Sequence, residues 1–264
     1  MTKKINVSKK TTERRDRILT ITHERGTISV ETLAEIIGVT TQTIRRDISQ
    51  LCNEHLLRRK HGGVERFEWP LNAPYDQRVA TNPSAKRAIA EAAAALIPDG
   101  STIFISIGST PTMVAEALKK NKRLTVMTNN LNAAMALSDE STNRVILPGG
   151  EIRLPDRDLI GDETAAFFEN YRAEFGIFGV AGVADDGALL DFHASEVRIR
   201  EKIRENCRTS LLVMDSTKLN RDAPAVGGSL FEIDQIIMDQ NAGVELTPLL
   251  ERVHDRLKLV GGNI

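Results

Sequence analysis

The chain has 264 residues, of which 41% are hydrophobic and 27% charged, with 35 Lys and Arg against 36 Asp and Glu. Such a composition buries real cores and excludes a disordered, collagen-like or disulfide-framework chain; at roughly 100 to 200 residues per domain it predicts one large or two unequal domains. No apolar run approaches the roughly 18 residues a membrane helix needs, and the polar start Met1-Thr2-Lys3-Lys4 lacks a signal peptide's apolar stretch, so the expected compartment is the cytoplasm. Cys52 and Cys207 stand far apart without a C-x-x-C, which predicts two free thiols and no metal site.

Charge is unevenly divided. Residues 1–68 carry 14 Lys and Arg against 9 Asp and Glu, a net of +5, and the rest carry 21 against 27, a net of −6. A basic head that meets a polyanion and an acidic body with another task are the expectation. From Arg14 the apolar positions Ile18, Leu19 and Ile21 mark a first helix, which Gly26 stops. Ser29 is the expected N-cap of a second helix bearing Leu33, Ile36 and Ile37 and ending at Gly38, and Thr40 or Thr41 caps a third. In the third helix Ile44, Ile48 and Leu51 recur at i, i+4 and i+7, so they face inward while Gln42, Thr43, Arg45 and Arg46 face out. Two short helices about a tight turn, the second opening with amide, hydroxyl and guanidinium groups, predict a helix-turn-helix over about residues 28–47. In the major groove Gln42 suits adenine and the arginines suit guanine, while Ser29, Thr40, Thr41 and the helix start suit phosphate. The run Leu57-Arg58-Arg59-Lys60 and the run Val64-Glu65-Arg66 flank His61-Gly62-Gly63. They read as a hairpin wing in which Arg58, Arg59, Lys60 and His61 add contacts to the DNA backbone.

Trp69, Pro70, Pro74 and Pro83 then break the periodicity, and a linker is expected at 67–75. Beyond it, strand-like runs at 102–107, 124–128, 144–147, 175–180, 211–215 and 235–238 alternate with helix-like segments at 85–97, 111–119, 131–137, 164–171, 194–206 and 248–259. This alternation predicts an α/β domain with a mostly parallel sheet, which binds its ligands at the strand ends. Gly108-Ser109-Thr110-Pro111 offers a helix start suited to phosphate, with Thr110 as cap and Pro111 at the first helical position. Thr128-Asn129-Asn130 and Pro148-Gly149-Gly150 end two further strands, and Lys218 in Asp215-Ser216-Thr217-Lys218 puts an ammonium at a fourth. Together they predict a small phosphorylated ligand.

The stretch Ile28-Ser29-Val30-Glu31-Thr32-Leu33-Ala34, the stretch Thr40-Thr41-Gln42-Thr43-Ile44-Arg45-Arg46-Asp47 and the wing Arg59-Lys60-His61-Gly62-Gly63-Val64 resemble the DeoR family of bacterial repressors. Ile107-Gly108-Ser109-Thr110-Pro111, Thr128-Asn129-Asn130-Leu131-Asn132 and Gly149-Gly150-Glu151 resemble that family's effector domain, so nearly the whole chain is covered. The resemblance implies a winged helix-turn-helix over residues 1–66 and, over 76–264, an effector-binding and oligomerisation domain of ribose-5-phosphate isomerase type. It also implies a phosphate site at Gly108, Ser109, Thr110, Asn129 and Lys218, to which Gly149, Gly150, Asp185, Glu196 and Arg198 are added. Ser109 stands where the family more usually has threonine and keeps the hydroxyl. Departures at 153–158 and 193–195 are expected to shape the carbon-chain end of the pocket.

The sequence lacks G-x-G-x-x-G after a strand, G-x-x-x-x-G-K-[ST], H-E-x-x-H and G-x-S-x-G, and its five histidines are scattered. No cofactor or catalytic residue is therefore expected. The reading is a repressor of a carbon-source operon, as a dimer or tetramer on operator DNA, that a phosphorylated metabolite, glycerol 3-phosphate first, releases. The alternatives are the same repressor with another sugar phosphate, or an enzyme of sugar-phosphate isomerase type.

Overall fold

The computed structural model describes residues 9–53, 57–60, 63–66, 72–240 and 248–261. Contacts divide the chain into two compact units, Met1–Trp69 and Pro70–Ile264. The first holds α1 (Lys9–Arg25), β1 (Ile28–Ser29), α2 (Val30–Ile37), α3 (Thr41–Asn53), β2 (Leu57–Lys60) and β3 (Gly63–Arg66). Ser29 caps α2 by accepting the Thr32 N–H at 3.0 Å, and Gly38, left-handed at φ 77°, closes it by donating to the Ala34 carbonyl at 2.9 Å. The Thr40 hydroxyl accepts the Thr43 N–H at 3.3 Å, so Thr40 does the capping of α3. Ile18, Leu33, Ile44, Ile48, Leu51, Leu57 and Val64 form one buried cluster, with the three-stranded antiparallel sheet β1-β3-β2 at its edge. Buried Asp47 pairs with Arg14 and, at 3.1 Å, with Arg15, tying α1 to α3 by charge as well as by packing.

In the second unit α4 (Tyr75–Ala80) and α5 (Pro83–Ala94) precede β4 (Thr102–Ile105), α6 (Ser109–Ala117), β5 (Thr125–Thr128), α7 (Leu131–Leu137) and β6 (Arg144–Ile146). A hairpin of β7 (Ile152–Arg153) and β8 (Asp158–Leu159) follows, then α8 (Asp162–Glu169), β9 (Ala173–Phe178), β10 (Gly182–Val183), β11 (Ala188–Asp191) and α9 (Ala194–Asn206). The chain goes on through β12 (Cys207–Met214), β13 (Ala225–Ser229), β14 (Gln235–Asp239), α10 (Pro248–Glu251) and β15 (Leu257–Val260). Seven strands form one sheet in the order β15-β14-β12-β9-β4-β5-β6, and every pairing in it is parallel. Side chains alternate across it, so Ile103 and Ile105 of β4 join one buried layer and Phe104 the other, as burial on both faces requires. Strands β10, β11 and β13 make a small antiparallel sheet.

Three expectations are corrected. The helix expected at 248–259 stops at Glu251, and Leu257–Val260 pairs parallel with β14 as an edge strand. Leu257 and Leu259 pack on the core while Lys258 is exposed, a period of two that the surrounding leucines hide in the sequence. The segment read as aperiodic contains helix α4, which begins right after Pro74 and buries Tyr75; residues 67–71 of the expected linker lie outside those described. Finally, α6 begins at Ser109 with Gly108, at φ 118°, as its N-cap, two residues earlier than a Thr110 cap would give.

Candidate DNA interface and effector cleft

On the outer side of α3, Gln42, Arg45 and Arg46 are exposed, as is Thr40, while Thr41 and Thr43 are half-buried. The inward Ile44, Ile48 and Leu51 fix this orientation. Arg45 comes within 3.7 Å of Glu31 on α2. The Ser29 hydroxyl is already engaged by its cap and by the Thr32 hydroxyl at 2.7 Å. In the wing Arg58 and Lys60 are exposed and share Glu65 as partner, and Arg59 donates to the Ser49 hydroxyl at 2.6 Å. His61 lies outside the described residues. This face offers amide, hydroxyl and guanidinium donors from one helix start and cations from the wing, the donor set that duplex DNA engages.

In the second unit a cleft opens at the C-terminal ends of the parallel strands. Ser106 and Ile107 after β4, Gly108 to Pro111 opening α6, Asn130 after β5, Gly179 to Ala181 after β9 and Lys218 after β12 line it. Tyr75 and Arg78 of α4, Asp156 and Asp158 of the β7–β8 hairpin, Asp191 at the end of β11, and Glu196 and Arg200 of α9 complete it. The N–H groups of Ser109 and Thr110 stand in the first turn of α6, where no intrahelical acceptor exists. Burial pushes Lys218 down to about 8, helped by the Arg221 cation and opposed by Asp215. Lys86, almost wholly buried, lies 3.9 Å from Asp215 and donates to the Arg78 carbonyl; burial lowers it too, again against the pull of Asp215. Lys218 thus feels three other cations, Arg221, Lys86 and Arg78, beside the single carboxylate Asp215.

The carboxylates that line the cleft are cross-braced by arginines. Arg153 pairs with Asp158 at 3.0 Å and Glu196 at 2.7 Å, joining the hairpin to α9, and Arg78 pairs with Asp156 at 2.8 Å. Asp191 accepts Arg200 Nε at 3.0 Å and the Ala181 N–H at 3.1 Å; burial raises it to about 6 although Arg200 opposes the rise.

Of the residues expected to bind a ligand, Gly108, Ser109, Thr110, Glu196 and Lys218 meet in this cleft. Five do not line it. Asn129 turns its amide to the Leu159 carbonyl at 2.9 Å, and its neighbour Asn130 reaches the cleft instead, held by Ser106 and Thr112 while capping α7. Gly149 and Gly150 are exposed beyond the edge strand β6, Asp185 is exposed in the turn between β10 and β11, and Arg198 pairs with exposed Asp162 on the outside of α9. The departures at 153–158 do lie here, through Asp156 and Asp158. The reading missed Tyr75, Arg78, Lys86, Asp191 and Arg200. Lys86 alone carried a signal, since it shares the apolar face of α5 with Ile89, Ala90 and Ala93 at helical spacing.

An exposed helix-turn-helix with a wing, accompanied by an α/β unit with a charged cleft, is the build of a ligand-responsive transcription regulator. The chain belongs to the DeoR family: residues 14–68 match its DeoR-like helix-turn-helix domain and residues 81–240 its C-terminal sensor domain. The glycerol-3-phosphate regulon repressor of Escherichia coli is 40% identical over 95% of this chain and 99% of its own length. The HTH-type transcriptional repressor CsqR of the same organism is 37% identical over 86% of this chain and 87% of its own. Among solved structures, ribose 5-phosphate isomerase A of Methanocaldococcus jannaschii matches 53% of this chain and 55% of its own at 16% identity, with a TM-score of 0.39. The chain is a DNA-binding transcriptional repressor with a sensor domain, and the alternative of an isomerase-like enzyme falls, because its close relatives are repressors. Among the described residues, no helix is long and apolar enough to cross a membrane, and no His, Cys, Asp and Glu cluster could hold a metal.

Proposed function

We propose that this repressor controls an operon of glycerol or glycerol-phosphate use, acts in the cytoplasm as a dimer or tetramer, and leaves its operator when glycerol 3-phosphate fills the cleft. One observation carries the reading: the amides of Ser109 and Thr110 at the start of α6 and the Lys218 ammonium line a single cleft. Arg78 lines the same cleft, and buried Lys86 lies behind it beside Asp215. The carboxylates of Asp191, Glu196 and Asp158, which line the same cleft, are acceptors for hydroxyl groups. The 40% identity to a glycerol-3-phosphate regulon repressor over nearly the whole chain supports the choice of ligand.

Regulation is then linkage. A ligand that binds better to the arrangement incompetent for DNA lowers operator affinity by that difference. Reading both halves of a palindrome needs at least two copies. Titration of the operator-bound protein with glycerol 3-phosphate should release the DNA, while unphosphorylated glycerol and other sugar phosphates at equal concentration should not. Release by free glycerol, or by a different sugar phosphate alone, overturns the assignment; light scattering of the free and DNA-bound protein counts the copies.

A further inference from the structure

The wing carries its own counter-charge. In the antiparallel pair β2–β3, Arg58 lies directly opposite Glu65, and Lys60, two residues on and on the same face, opposes Gly63 diagonally to it. Leu57 and Arg59 occupy the other face, Leu57 in the core and Arg59 on Ser49. The Glu65 carboxylate accepts Arg58 Nε at 2.8 Å and a second bond from Arg58 Nη2 on one oxygen, and on the other Lys60 Nζ at 3.1 Å and the Thr27 hydroxyl at 3.3 Å. Only 16% of the Glu65 side chain is exposed, against 57% of Arg58 and 58% of Lys60. Two exposed cations thus turn toward a carboxylate that is mostly covered. The bonds from Arg58, then those from Lys60, hold Glu65 down to about 2, so it stays ionised at every pH at which DNA is bound.

Phosphate and carboxylate compete for the same donors, since Arg offers one planar fork and Lys one ammonium. DNA can engage Arg58 or Lys60 fully only by displacing Glu65, or by accepting a trio whose net charge is +1 rather than +2. Sequence-independent affinity comes from the number of phosphates neutralised, whereas sequence preference comes from base edges read in the groove. A carboxylate among the wing cations therefore subtracts from the first without touching the second.

We infer that Glu65 is a restraint on DNA affinity: by occupying Arg58 and Lys60 it lowers the sequence-independent binding that every duplex shares and leaves discrimination to α3. It acts through its neighbours, as a positioning residue. The test uses the full-length protein, a random duplex and a duplex that the wild-type protein has selected from a random pool, each titrated over a range of salt. Glu65→Gln should bind the random duplex about tenfold more tightly at low salt, with a log–log salt slope steeper by about 1 to 2, since each neutralised phosphate contributes about 0.9. The selected duplex should gain by about the same factor, so the ratio of the two affinities, set by α3, hardly changes. Adding both Arg58→Gln and Lys60→Gln to Glu65→Gln should remove the gain. An unchanged slope, a gain confined to one of the two duplexes, or a gain that survives both added substitutions overturns the inference. If Glu65→Gln does not fold, Arg58→Gln alone decides: on the random duplex it should lower the slope by much less than 0.9, and a full loss of about 0.9 refutes the restraint.

Discussion

The two candidate sites of this repressor treat charge in opposite ways. On α3 and the wing the cations stand in water, and the carboxylates near them, Glu31 and Glu65, are partners reached across a surface. In the cleft Asp191 and Arg200 are buried, as is Lys86 behind it, and burial pushes Lys218 and Asp191 toward neutrality. A DNA-reading surface must be preformed and accessible, because its ligand is a stiff polyanion that cannot enter a pocket. A sensor must respond to one small molecule, and desolvated charge makes the loss or gain of that molecule's charge energetically large. The contrast predicts that substitutions at the first site change DNA affinity and leave the response intact, and that those at the second do the reverse.

The largest effect is expected on α3. Replacing Arg45 and Arg46 together with Ala should abolish operator binding at physiological salt, because each lost phosphate contact lowers the salt slope by about 0.9 and each lost base contact costs about 1–3 kcal/mol. Both side chains are exposed, so the thermal unfolding midpoint should hardly move. Gel shifts on the operator, beside thermal melts and glycerol 3-phosphate binding, check this. A variant that binds the operator normally removes α3 from the reading.

Lys218→Ala should give the complementary phenotype, a repressor that holds its operator and ignores inducer. Charge-assisted hydrogen bonds to phosphate are worth about 1.5–3 kcal/mol each, so losing one should weaken glycerol 3-phosphate binding roughly ten- to a hundredfold. The same ammonium sets a pH dependence. In the empty cleft Lys218 titrates near 8, and phosphate favours its charged form, so binding above that pH must take up a proton. Affinity should be nearly flat between pH 7 and 8 and fall with up to about tenfold per pH unit above it. Isothermal titration at several pH values reads the slope, which Lys218→Ala should flatten; a wild-type slope rising with pH would contradict the assignment.

A smaller effect tests how the head is held together. Asp47→Ala leaves Arg14 and Arg15 without their buried acceptor, yet both keep about a fifth of their side chains exposed and can turn toward water. The cost is then about 1–3 kcal/mol, a drop of roughly 4–20 °C in the midpoint of a unit this small. Operator affinity at a temperature where the head stays folded should fall only modestly. A loss as complete as that of the Arg45 and Arg46 variant would mean that Asp47 orders α3 rather than merely fastening it.

How much was visible beforehand follows from the same contrast. The proposed DNA face lies within one short stretch, where cap, apolar stripe and basic positions follow one helical period, so Ser29, Gly38 and Thr40 could be read as punctuation and Ile44, Ile48 and Leu51 as core. The cleft is assembled from segments more than 100 residues apart; Gly108, Ser109, Thr110 and Lys218 announced themselves as strand-end groups, and Glu196 came with the family resemblance alone. Arg78 and Asp191 lie where the sequence shows neither strand end nor motif, on a helix hidden among prolines and at the end of a short strand in the small sheet. Glu65 was legible as wing sequence, but its grip on Arg58 and Lys60 depends on a cross-strand register that composition does not reveal.

The smallest predicted effect concerns Arg198, which the family resemblance put among the ligand groups. It lies on α9 only two residues beyond Glu196, but a helix turns by about 100° per residue, so the two point about 200° apart. Glu196 lines the cleft, and Arg198 meets Asp162 on the opposite side, with 54% and 86% of their side chains exposed. Exposed pairs of this kind contribute about 0–1 kcal/mol and are screened by salt. Arg198→Ala should therefore leave glycerol 3-phosphate affinity within about twofold of wild type and the unfolding midpoint almost unmoved, whereas Glu196→Ala, which removes the Arg153 brace, should weaken the ligand. Calorimetry on the two variants side by side measures the difference; an Arg198→Ala protein that loses the ligand while Glu196→Ala keeps it would mean that the binding site lies on the outer side of α9 and not in the cleft.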